Sequence, residues 1–415
     1  MEKIRVVIVG GGFGGLESAF YVRQRLGDRA DVTLVSDRDY LLFRPYMTYV
    51  PFGLVPEAVQ IDLAKPMQEA GVHFIQGKVG AFVPEEKAIH VGDRVLPYDY
   101  LVLATGAALG PEDANGLHEH AFTAWKMADM TQLRSVFQQL TDEVLAGHRR
   151  RVVLLVPPGC QWAGPLYELA FMLETWLQWK DVREGIDIVF VTSERSFMEV
   201  FGPRLHDVIR EEFNRRHIMS YVEQPIQSVV AGALIDHEDH RWPFDVLVAA
   251  PSYVPSTVWH PLPTDERGFL ITEPATRQVV NHPDIYAVGD GANYPIKQAF
   301  LALLQADAAA EHLSARVLRT EPTFAFSQHS LWLMEQLDQA LLVQPPSDAQ
   351  AGATAGQKPE DRTYQVERLA VGQLRRMVLR AYLPHHFDAT NALYAGLLWK
   401  GTKVGLSVLS HLVQH

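Results

Sequence analysis

The stretch that decides the fold is "IRVVIVGGGFGGLESAFYVRQRL", residues 4–26. Residues 4–9 form a largely apolar run, which predicts a strand buried on both faces of a sheet. Gly10, Gly12 and Gly15 follow with the spacing G-x-G-x-x-G, and apolar residues then recur at helical spacing from Leu16 to Leu26. A strand, a glycine turn and a helix in this order predict a site for the pyrophosphate of a dinucleotide.

Each glycine of this turn has a separate physical task. The first allows the tight turn, the second lets the backbone approach the pyrophosphate, and the third lets the helix pack closely on the strand. The N–H groups at the start of the helix, with its positive dipole end, then face the phosphates. We therefore expect Gly10, Gly12, Phe13 and Gly15 to form the site or to contact its ligand.

The second predicted strand, "DVTLVS" at residues 31–36, ends without the acidic residue that usually binds the ribose hydroxyls. Ser36 stands at that position and Asp37 follows it. Asp37 could reach the ribose, Ser36 could bind it more weakly, or Asp37 could be only a turn residue. The residues alone leave these three interpretations open.

Two further predicted strands end in related motifs. "YDYLVLATGAA" (98–108) ends its strand at Thr105 and Gly106, and "HPDIYAVGDGAN" (282–293) ends its strand at Gly289 and Asp290. In their order along the chain, the three motifs resemble the two-dinucleotide-domain flavoprotein disulfide reductase superfamily. The resemblance implies FAD as the cofactor. It also implies an α/β fold with two Rossmann-like dinucleotide-binding domains and a C-terminal α-rich cap.

The same resemblance implies domain limits and ligand contacts. The FAD-binding domain would be split, with residues 1–110 and 265–320, around a second, NAD(P)-binding-like domain at 111–264; residues 321–415 would form the C-terminal region. Asp290 would hydrogen-bond the ribityl chain of FAD. The stretch "LLFRPYMTYV" (41–50) resembles a membrane-associated branch in which this loop runs along the flavin. Further FAD contacts are expected at Pro45, Val79, Lys297 and Gln298.

A second strand–turn–helix pattern, "VVLLVPPGCQWAGPLYELA" at residues 152–170, lacks two of the glycines. Pro157 stands in the first glycine position and Trp162 in the third. Proline removes a backbone donor, and an indole would fill space that a pyrophosphate needs. Thr192 stands where a ribose-binding acid is expected, although Glu194 is close. The pattern predicts that NAD(P)H does not bind here in the usual pose.

What remains of the second pattern resembles sulfide:quinone oxidoreductase and the flavoprotein subunit of flavocytochrome c sulfide dehydrogenase. The resemblance is carried by Cys160 in a widened bend, by "GPLYE" at residues 164–168, and by "FVTSE" at 190–194. It implies an FAD-dependent oxidoreductase that passes electrons to quinone from a small donor, with sulfur compounds among the candidates. Lys297 would stabilise negative charge on the reduced flavin. Glu168 would either relay protons or hold the helix end.

The chain departs from this branch in its thiols. Sulfide oxidisers of the branch use a pair of cysteines beside the flavin, but Ala124 and Leu331 stand where further thiols would be expected, and Cys160 is the one cysteine in the sequence. A redox disulfide needs two thiols, so a dithiol relay cannot run within this chain. Cys160 could act alone as a nucleophile or persulfide carrier, pair with an external thiol, or be an inert packing residue.

Composition limits the class of partner. The 415 residues carry a net charge of −12, which argues against a nucleic-acid partner. No charged-then-apolar leader and no apolar run long enough to span a bilayer are present, which favours a cytoplasmic protein. A lone histidine such as His329 is usually a core or surface group and not a catalytic one, and the adjacent pair His385–His386 predicts no metal site. Two alternative functions stay open: an NAD(P)H:quinone oxidoreductase resembling type II NADH dehydrogenase, and a non-enzymatic flavin-binding interaction protein.

The C-terminal region has an unusual charge balance. Residues 364–415 carry six Lys or Arg against two Asp or Glu. The segment "NALYAGLLWKGTKVGLSVLSHLVQH" (391–415) places Leu393, Leu397, Val404 and Leu412 on one helical stripe. An apolar stripe with cations and a tryptophan suits a monotopic helix at the cytoplasmic face of a membrane, where quinones are found. The open alternative is a helix that packs in the core or in a homodimer.

Overall fold

The computed structural model describes residues 3–112, 114–326, 332–344, 364–370 and 372. Within these ranges the strands are β1 (Ile4–Val9), β2 (Ala30–Ser36), β3 (Tyr40–Leu42), β4 (Gln60–Asp62), β5 (His73–Gln76), β6 (Val79–Val83), β7 (Ala88–Val91), β8 (Arg94–Pro97), β9 (Tyr100–Leu103), β10 (Ala107–Leu109), β11 (Phe122–Thr123), β12 (Arg150–Val156), β13 (Ile186–Thr192), β14 (Met219–Tyr221), β15 (Ile226–Val230), β16 (Ala233–Asp236), β17 (Arg241–Pro243), β18 (Val246–Ala249), β19 (Tyr253–Pro255), β20 (Ile285–Ala287), β21 (Trp332–Glu335), β22 (Ala340–Gln344) and β23 (Gln365–Leu369). The α-helices are α1 (Phe13–Leu26), α2 (Ala64–Glu69), α3 (Leu117–His120), α4 (Met127–Leu145), α5 (Gly164–Trp179), α6 (Pro203–Arg215) and α7 (Ala299–Leu318).

The first sheet contains the predicted strand–turn–helix unit at its centre. Five parallel strands lie in the order β20-β9-β1-β2-β5. The chain leaves β1 to pair β2 on one side and returns to pair β9 on the other, so the strand order reverses beside β1. A reversal of this kind opens a crevice at the carboxyl ends of the strands, which is where open α/β sheets bind ligands.

A second parallel sheet is built from the middle of the chain. Its order is β11-β18-β12-β13-β14, again with a reversal beside the central strand, β12. β12 is followed by the bend at residues 157–163 and then by α5, which is buried along most of its length. The two sheets have the α/β organisation that the sequence predicts.

Smaller antiparallel sheets complete the structure. β6-β7-β8 and β15-β16-β17 are three-stranded, and β10 pairs with β19. β21-β22-β23 belongs to the region predicted as an α-rich cap, and the regular secondary structure in the described part of that region is these three strands. The segment predicted as a membrane-interface helix (391–415) lies outside the described residues, as do His329, Leu331, His385 and His386.

The strands of each parallel sheet come from separate parts of the chain. The first sheet uses strands from residues 4–103 and 285–287, and the second uses strands from residues 122–249. The exact domain boundaries stay a prediction. No helix within the described ranges is both long enough and apolar enough to cross a bilayer.

Candidate functional site

The carboxyl ends of the first sheet open into a cavity of about 580 Å³. This volume lies within the range of small-molecule and cofactor sites. Except for Gly15, every residue predicted to contact the cofactor lines it: Gly10, Gly12, Phe13, Ser36, Asp37, Pro45, Val79, Thr105, Gly106, Gly289, Asp290, Lys297 and Gln298. Sequence segments that are far apart in the chain and were predicted to share a site therefore do meet.

The glycine turn has the geometry of a phosphate cradle. Gly10 has a φ of +118°, and a Cβ there would lie 2.2 Å from the carbonyl oxygen of Ala104. A Cβ on Gly15 would lie 1.8 Å from the carbonyl oxygen of Gly10, so Gly15 serves the close packing of α1 on β1. A Cβ on Gly12 would meet no protein atom within 4 Å, because Gly12 faces the cavity. The turn thus leaves room for a pyrophosphate beside the start of α1.

Ser36 and Asp37 both line the cavity at the end of β2. The Ser36 hydroxyl is buried and accepts a hydrogen bond from the Arg38 backbone N–H at 3.2 Å. The Asp37 carboxylate is exposed and lies 3.4 Å from Nε of Arg38. Both side chains therefore lie where a ribose would be bound, and which of them binds it stays a prediction.

A buried charge cluster lies at the other end of the predicted cofactor site. Lys297 is 4% exposed; its Nζ donates to the carbonyl oxygen of Ala292 at 2.9 Å and lies 3.7 Å from the ring centroid of Phe269. Burial lowers the pKa of Lys297 to about 8, against the opposing charge of Asp290. Burial also raises the pKa of Asp290, which Lys297 and Arg44 counteract. The cluster therefore places a cation and a carboxylate, coupled to each other, on the cavity wall.

Beyond these charges the cavity continues into a space walled by aromatic rings. We call Trp125, Trp162, Tyr253 and Trp332, which all line the cavity, the aromatic chamber. Trp162 meets Trp332 edge to face at 5.2 Å between ring centroids, and Trp125 lies 4.8 Å from Tyr253. Ala124, at a position where a second thiol would be expected, also lines the cavity. The chamber is apolar where a sulfide oxidiser of the resembled branch carries thiols.

The bend between β12 and α5 contains the buried indole of Trp162. Trp162 is 7% exposed, and a Cβ on Gly164 would lie 2.3 Å from the indole Cζ2, so the indole covers the start of α5. That start is where a pyrophosphate would bind in a working site. Pro165, in the first turn, has no N–H to offer. That NAD(P)H does not bind here in the usual pose stays a prediction, and the placement of Trp162 supports it.

Glu194, the acid close to the position where a ribose-binding residue would be expected, forms hydrogen bonds with other side chains of the protein. Glu194 Oε2 accepts hydrogen bonds from the Tyr167 hydroxyl at 2.5 Å and from the Thr192 hydroxyl at 2.9 Å. Burial raises the pKa of Glu194 to about 7, although these two hydrogen bonds oppose the shift. Glu194 is therefore engaged by side chains of β13 and α5.

The three residues predicted to be catalytic differ in their placement. Lys297 and Glu168 line the cavity, and Cys160 does not. Glu168 is buried, and its Oε1 accepts a hydrogen bond from Trp332 Nε1 at 2.8 Å. Cys160 is half-buried in a bend held to its surroundings: Arg267 donates to the carbonyl oxygens of Gly159 and Tyr253, both at 3.3 Å. Their catalytic roles stay predictions.

Sequence reasoning missed several residues of the cavity wall. Arg44, Trp125, Tyr253 and Trp332 come from four distant segments, and no local spacing connects them. Arg44 stands next to the predicted Pro45, and Trp125 next to the noted Ala124. Proximity in sequence to predicted positions was therefore the one signal available. Among the described residues, no group of three or more His, Cys, Asp or Glu side chains could hold a metal ion.

Comparison with known families decides the class. The family model described as pyridine nucleotide-disulphide oxidoreductase matches residues 4–309, which include both parallel sheets and the whole cavity lining up to Leu303. The chain belongs to this family. Membership confirms the α/β fold, FAD as the cofactor and the predicted class of FAD-dependent oxidoreductase.

Individual relatives of this pyridine nucleotide-disulphide oxidoreductase chain carry sulfide:quinone names. It is 25% identical to the mitochondrial sulfide:quinone oxidoreductase of Mus musculus over 308 residues, 72% of this chain and 68% of the mouse protein. It is 30% identical to the sulfide-quinone reductase of Aquifex aeolicus over 191 residues, which are 46% of this chain and 43% of that protein. The crystal structure of the Aquifex aeolicus sulfide:quinone oxidoreductase superposes with a TM-score of 0.81 at 20% identity, covering 94% of this chain and 92% of that one. The resemblance stated from the motifs is confirmed.

Proposed function

We propose that this protein passes two electrons from a small sulfur donor to quinone, with FAD held in the cavity. The observation that supports this most is the contrast between the two nucleotide sites. One cavity joins the Gly10 turn to the aromatic chamber, whereas Trp162 covers the second site, where NADH would bind. The names of the mouse and Aquifex relatives agree with such a donor and acceptor.

The cavity offers contacts for three parts of FAD. The turn at Gly10 to Gly12 would hold the pyrophosphate, Ser36 or Asp37 the adenosine ribose, and Asp290 the ribityl chain. When bound, FAD supplies two-electron redox chemistry between a donor and quinone. The fit follows from the glycine turn, since the open space beside Gly12 is where a close approach of backbone to phosphate is needed.

Lys297 has the placement for electrostatic stabilisation. Its ammonium group is buried, close to Asp290, on the wall of the cavity. A fixed cation in a site of low dielectric constant stabilises negative charge that develops beside it. Glu168 would hold Trp332 in place through its hydrogen bond, and a proton-relay role for the same carboxylate is the alternative.

The sulfur product must leave without a protein dithiol, because the sequence has one cysteine. Two hydrosulfide ions, one quinone and one proton balance as one hydrogen disulfide ion and one quinol. The sulfur atom of the donor that is oxidised then forms a bond to a second sulfur from solution. This second sulfur belongs to a thiolate or to another hydrosulfide ion. Since Cys160 does not line the cavity, we expect Cys160→Ser to keep at least half of the rate of flavin reduction by sulfide.

Membrane association is part of the proposal. Its support is the basic and amphipathic character of residues 364–415, most of which lie outside the described residues. A monotopic contact would bring the cavity to quinone dissolved in the bilayer. Co-sedimentation with anionic vesicles, lost on deleting residues 373–415, would support it; equal co-sedimentation without the segment would contradict it.

An anaerobic titration tests the function. Sulfide is added to the FAD-loaded protein while flavin absorbance is followed, and a soluble quinone is then added. We expect bleaching by sulfide and recovery by quinone. A flavin that NADH bleaches rapidly and sulfide does not would instead support an NAD(P)H:quinone oxidoreductase. A flavin that neither reagent bleaches would support a non-enzymatic flavin-binding protein.

A further inference from the structure

Arg44 lines the cavity beside Trp125 of the aromatic chamber. Its guanidinium carbon is 3.9 Å from the ring centroid of Trp125, and its Nη1 donates to the Trp125 carbonyl oxygen at 2.9 Å. Arg44 opens the 3-10 helix Arg44–Phe52, which packs against α4 and α5. One stacking contact and one hydrogen bond thus hold the guanidinium in a single orientation.

Most donors of this guanidinium are not used by the described part of the chain. Among the described residues, the bond to Trp125 is the hydrogen bond that the Arg44 side chain makes, although a guanidinium has five N–H donors. Neither Nε nor Nη2 of Arg44 is among the fully buried, unpartnered atoms, and Arg44 lines the cavity. Donors of a fixed, charged group therefore remain open toward the cavity.

The surroundings select the kind of anion that would bind. Ala124, Trp125 and Tyr253 present apolar and aromatic surface beside Arg44. A guanidinium is weakly hydrated compared with an ammonium, and apolar walls disfavour anions that hold water strongly. Burial lowers the pKa of Arg44 to about 10, so the group stays charged at neutral pH. A small, polarisable, weakly hydrated anion fits these surroundings better than a carboxylate or phosphate.

The charges of Arg44, Lys297 and Asp290 interact in this part of the cavity. Arg44 and Lys297 both act on the Asp290 carboxylate, so two cations face one anion. Glu168, on the chamber side, is engaged by Trp332 Nε1. The carboxylate of Asp290 therefore does not neutralise both cations.

We propose that Arg44 and Trp125 form an anion subsite that binds the hydrosulfide ion non-covalently at the mouth of the aromatic chamber. This inference rests on the proposed function, and it names the residues that would hold the donor in a chain without a dithiol. The guanidinium donates hydrogen bonds to the anion. The Trp125 ring keeps the guanidinium flat and excludes water from one face.

The test measures anion binding at equilibrium, independently of turnover. Thiocyanate, a soft anion that does not reduce flavin under these conditions, is titrated into the full-length FAD-loaded protein, and heat and flavin difference absorbance are recorded. We expect Arg44→Gln to weaken thiocyanate binding at least tenfold. Arg44→Lys keeps the charge but loses the planar fork, so it should weaken binding several-fold. Arg134→Gln, a matched change at an exposed position of α4, should leave binding unchanged.

The outcomes separate this subsite from the function as a whole. Equal thiocyanate affinity in wild type and Arg44→Gln, or no binding to wild type, would overturn the subsite even if sulfide bleaches the flavin. Weaker binding in both Arg44 variants supports it, including the case in which sulfide fails to bleach and the proposed function falls. If Arg44→Gln does not retain FAD, Arg44→Lys decides, and unchanged affinity in that variant overturns the subsite.

Discussion

Two glycines of the first turn are needed for different structural reasons, as the sequence motif predicts. Gly15 packs on the backbone of Gly10, and Gly12 faces the cavity. The turn could be predicted from the spacing of the glycines, because the backbone requirement that each glycine meets is local in sequence. The motif predicts that Gly15 serves packing and that Gly12 serves the ligand, and the structure adds how much space each position leaves for a side chain.

Substitution of each glycine by alanine should separate stability from cofactor binding. Gly15→Ala places a Cβ against the Gly10 carbonyl oxygen and should lower the free energy of unfolding by roughly 1–3 kcal/mol. Gly12→Ala meets no protein atom within 4 Å, so it should leave the apoprotein as stable as wild type while weakening FAD binding. Urea unfolding of the apoprotein and equilibrium FAD titration measure the two effects. Equal apoprotein stability in both variants would refute the distinction.

Glu194 should make stability fall as pH rises. Its pKa is raised by burial from 4.5 to about 7, so between these pH values the unfolded chain has lost a proton that the folded chain keeps. The stabilisation is complete below pH 4.5 and is lost as pH rises to 7, by on the order of 3 kcal/mol. Urea unfolding of wild type and Glu194→Gln from pH 4 to 8 gives the difference. The reasoning fails if that difference does not change with pH.

At the scale of elements, a buried charge network joins α5, α6 and the C-terminal strands. Arg216, just after α6, bonds Glu174 of α5 at 2.5 Å and Gln336, beside β21, at 2.8 Å. Glu212 of α6 accepts a hydrogen bond from Arg368 of β23 at 3.1 Å. Arg216, Glu174 and Glu212 are each at most 5% exposed. Charged groups this deeply buried are tolerated because each has partners.

Substitution of Arg216 should therefore lower the free energy of unfolding. Arg216→Met leaves Glu174 and Glu212 buried with fewer partners and should lower the free energy of unfolding by about 3–5 kcal/mol. Arg210 of α6 pairs with Asp207 at the surface, with both side chains more than half exposed, so Arg210→Met should cost less than about 1 kcal/mol. Thermal or urea unfolding compares the variants. Similar losses for both substitutions would show that the network does not stabilise this junction.

The elements themselves were predictable where one strand and its following turn carried the signal. The unit from β1 to α1 and the strands that end at Thr105 and Gly289 are local patterns of apolar residues and glycine. β21, β22 and β23 were not predicted, since their pairing depends on packing against α5 and α6. Tertiary context decides such short strands.

At the scale of the whole molecule, both parallel sheets reverse their strand order beside a central strand, but their crevices differ in the space they leave for a ligand. The first crevice is open to a dinucleotide, and the second is covered by the indole of Trp162. The sequence predicted this difference from Pro157 and Trp162, which occupy positions with known glycine requirements. The aromatic chamber was not predictable, because its rings come from segments more than 30 residues apart that only the fold brings together.

The most direct test of the account asks how many nucleotides the protein binds. FAD content is measured on the purified, FAD-saturated protein, and NADH is then titrated anaerobically by calorimetry. One FAD per chain with no heat of NADH binding is the result expected from a single open crevice. Saturable NADH binding at micromolar concentration, or a protein that takes up no FAD, would contradict it.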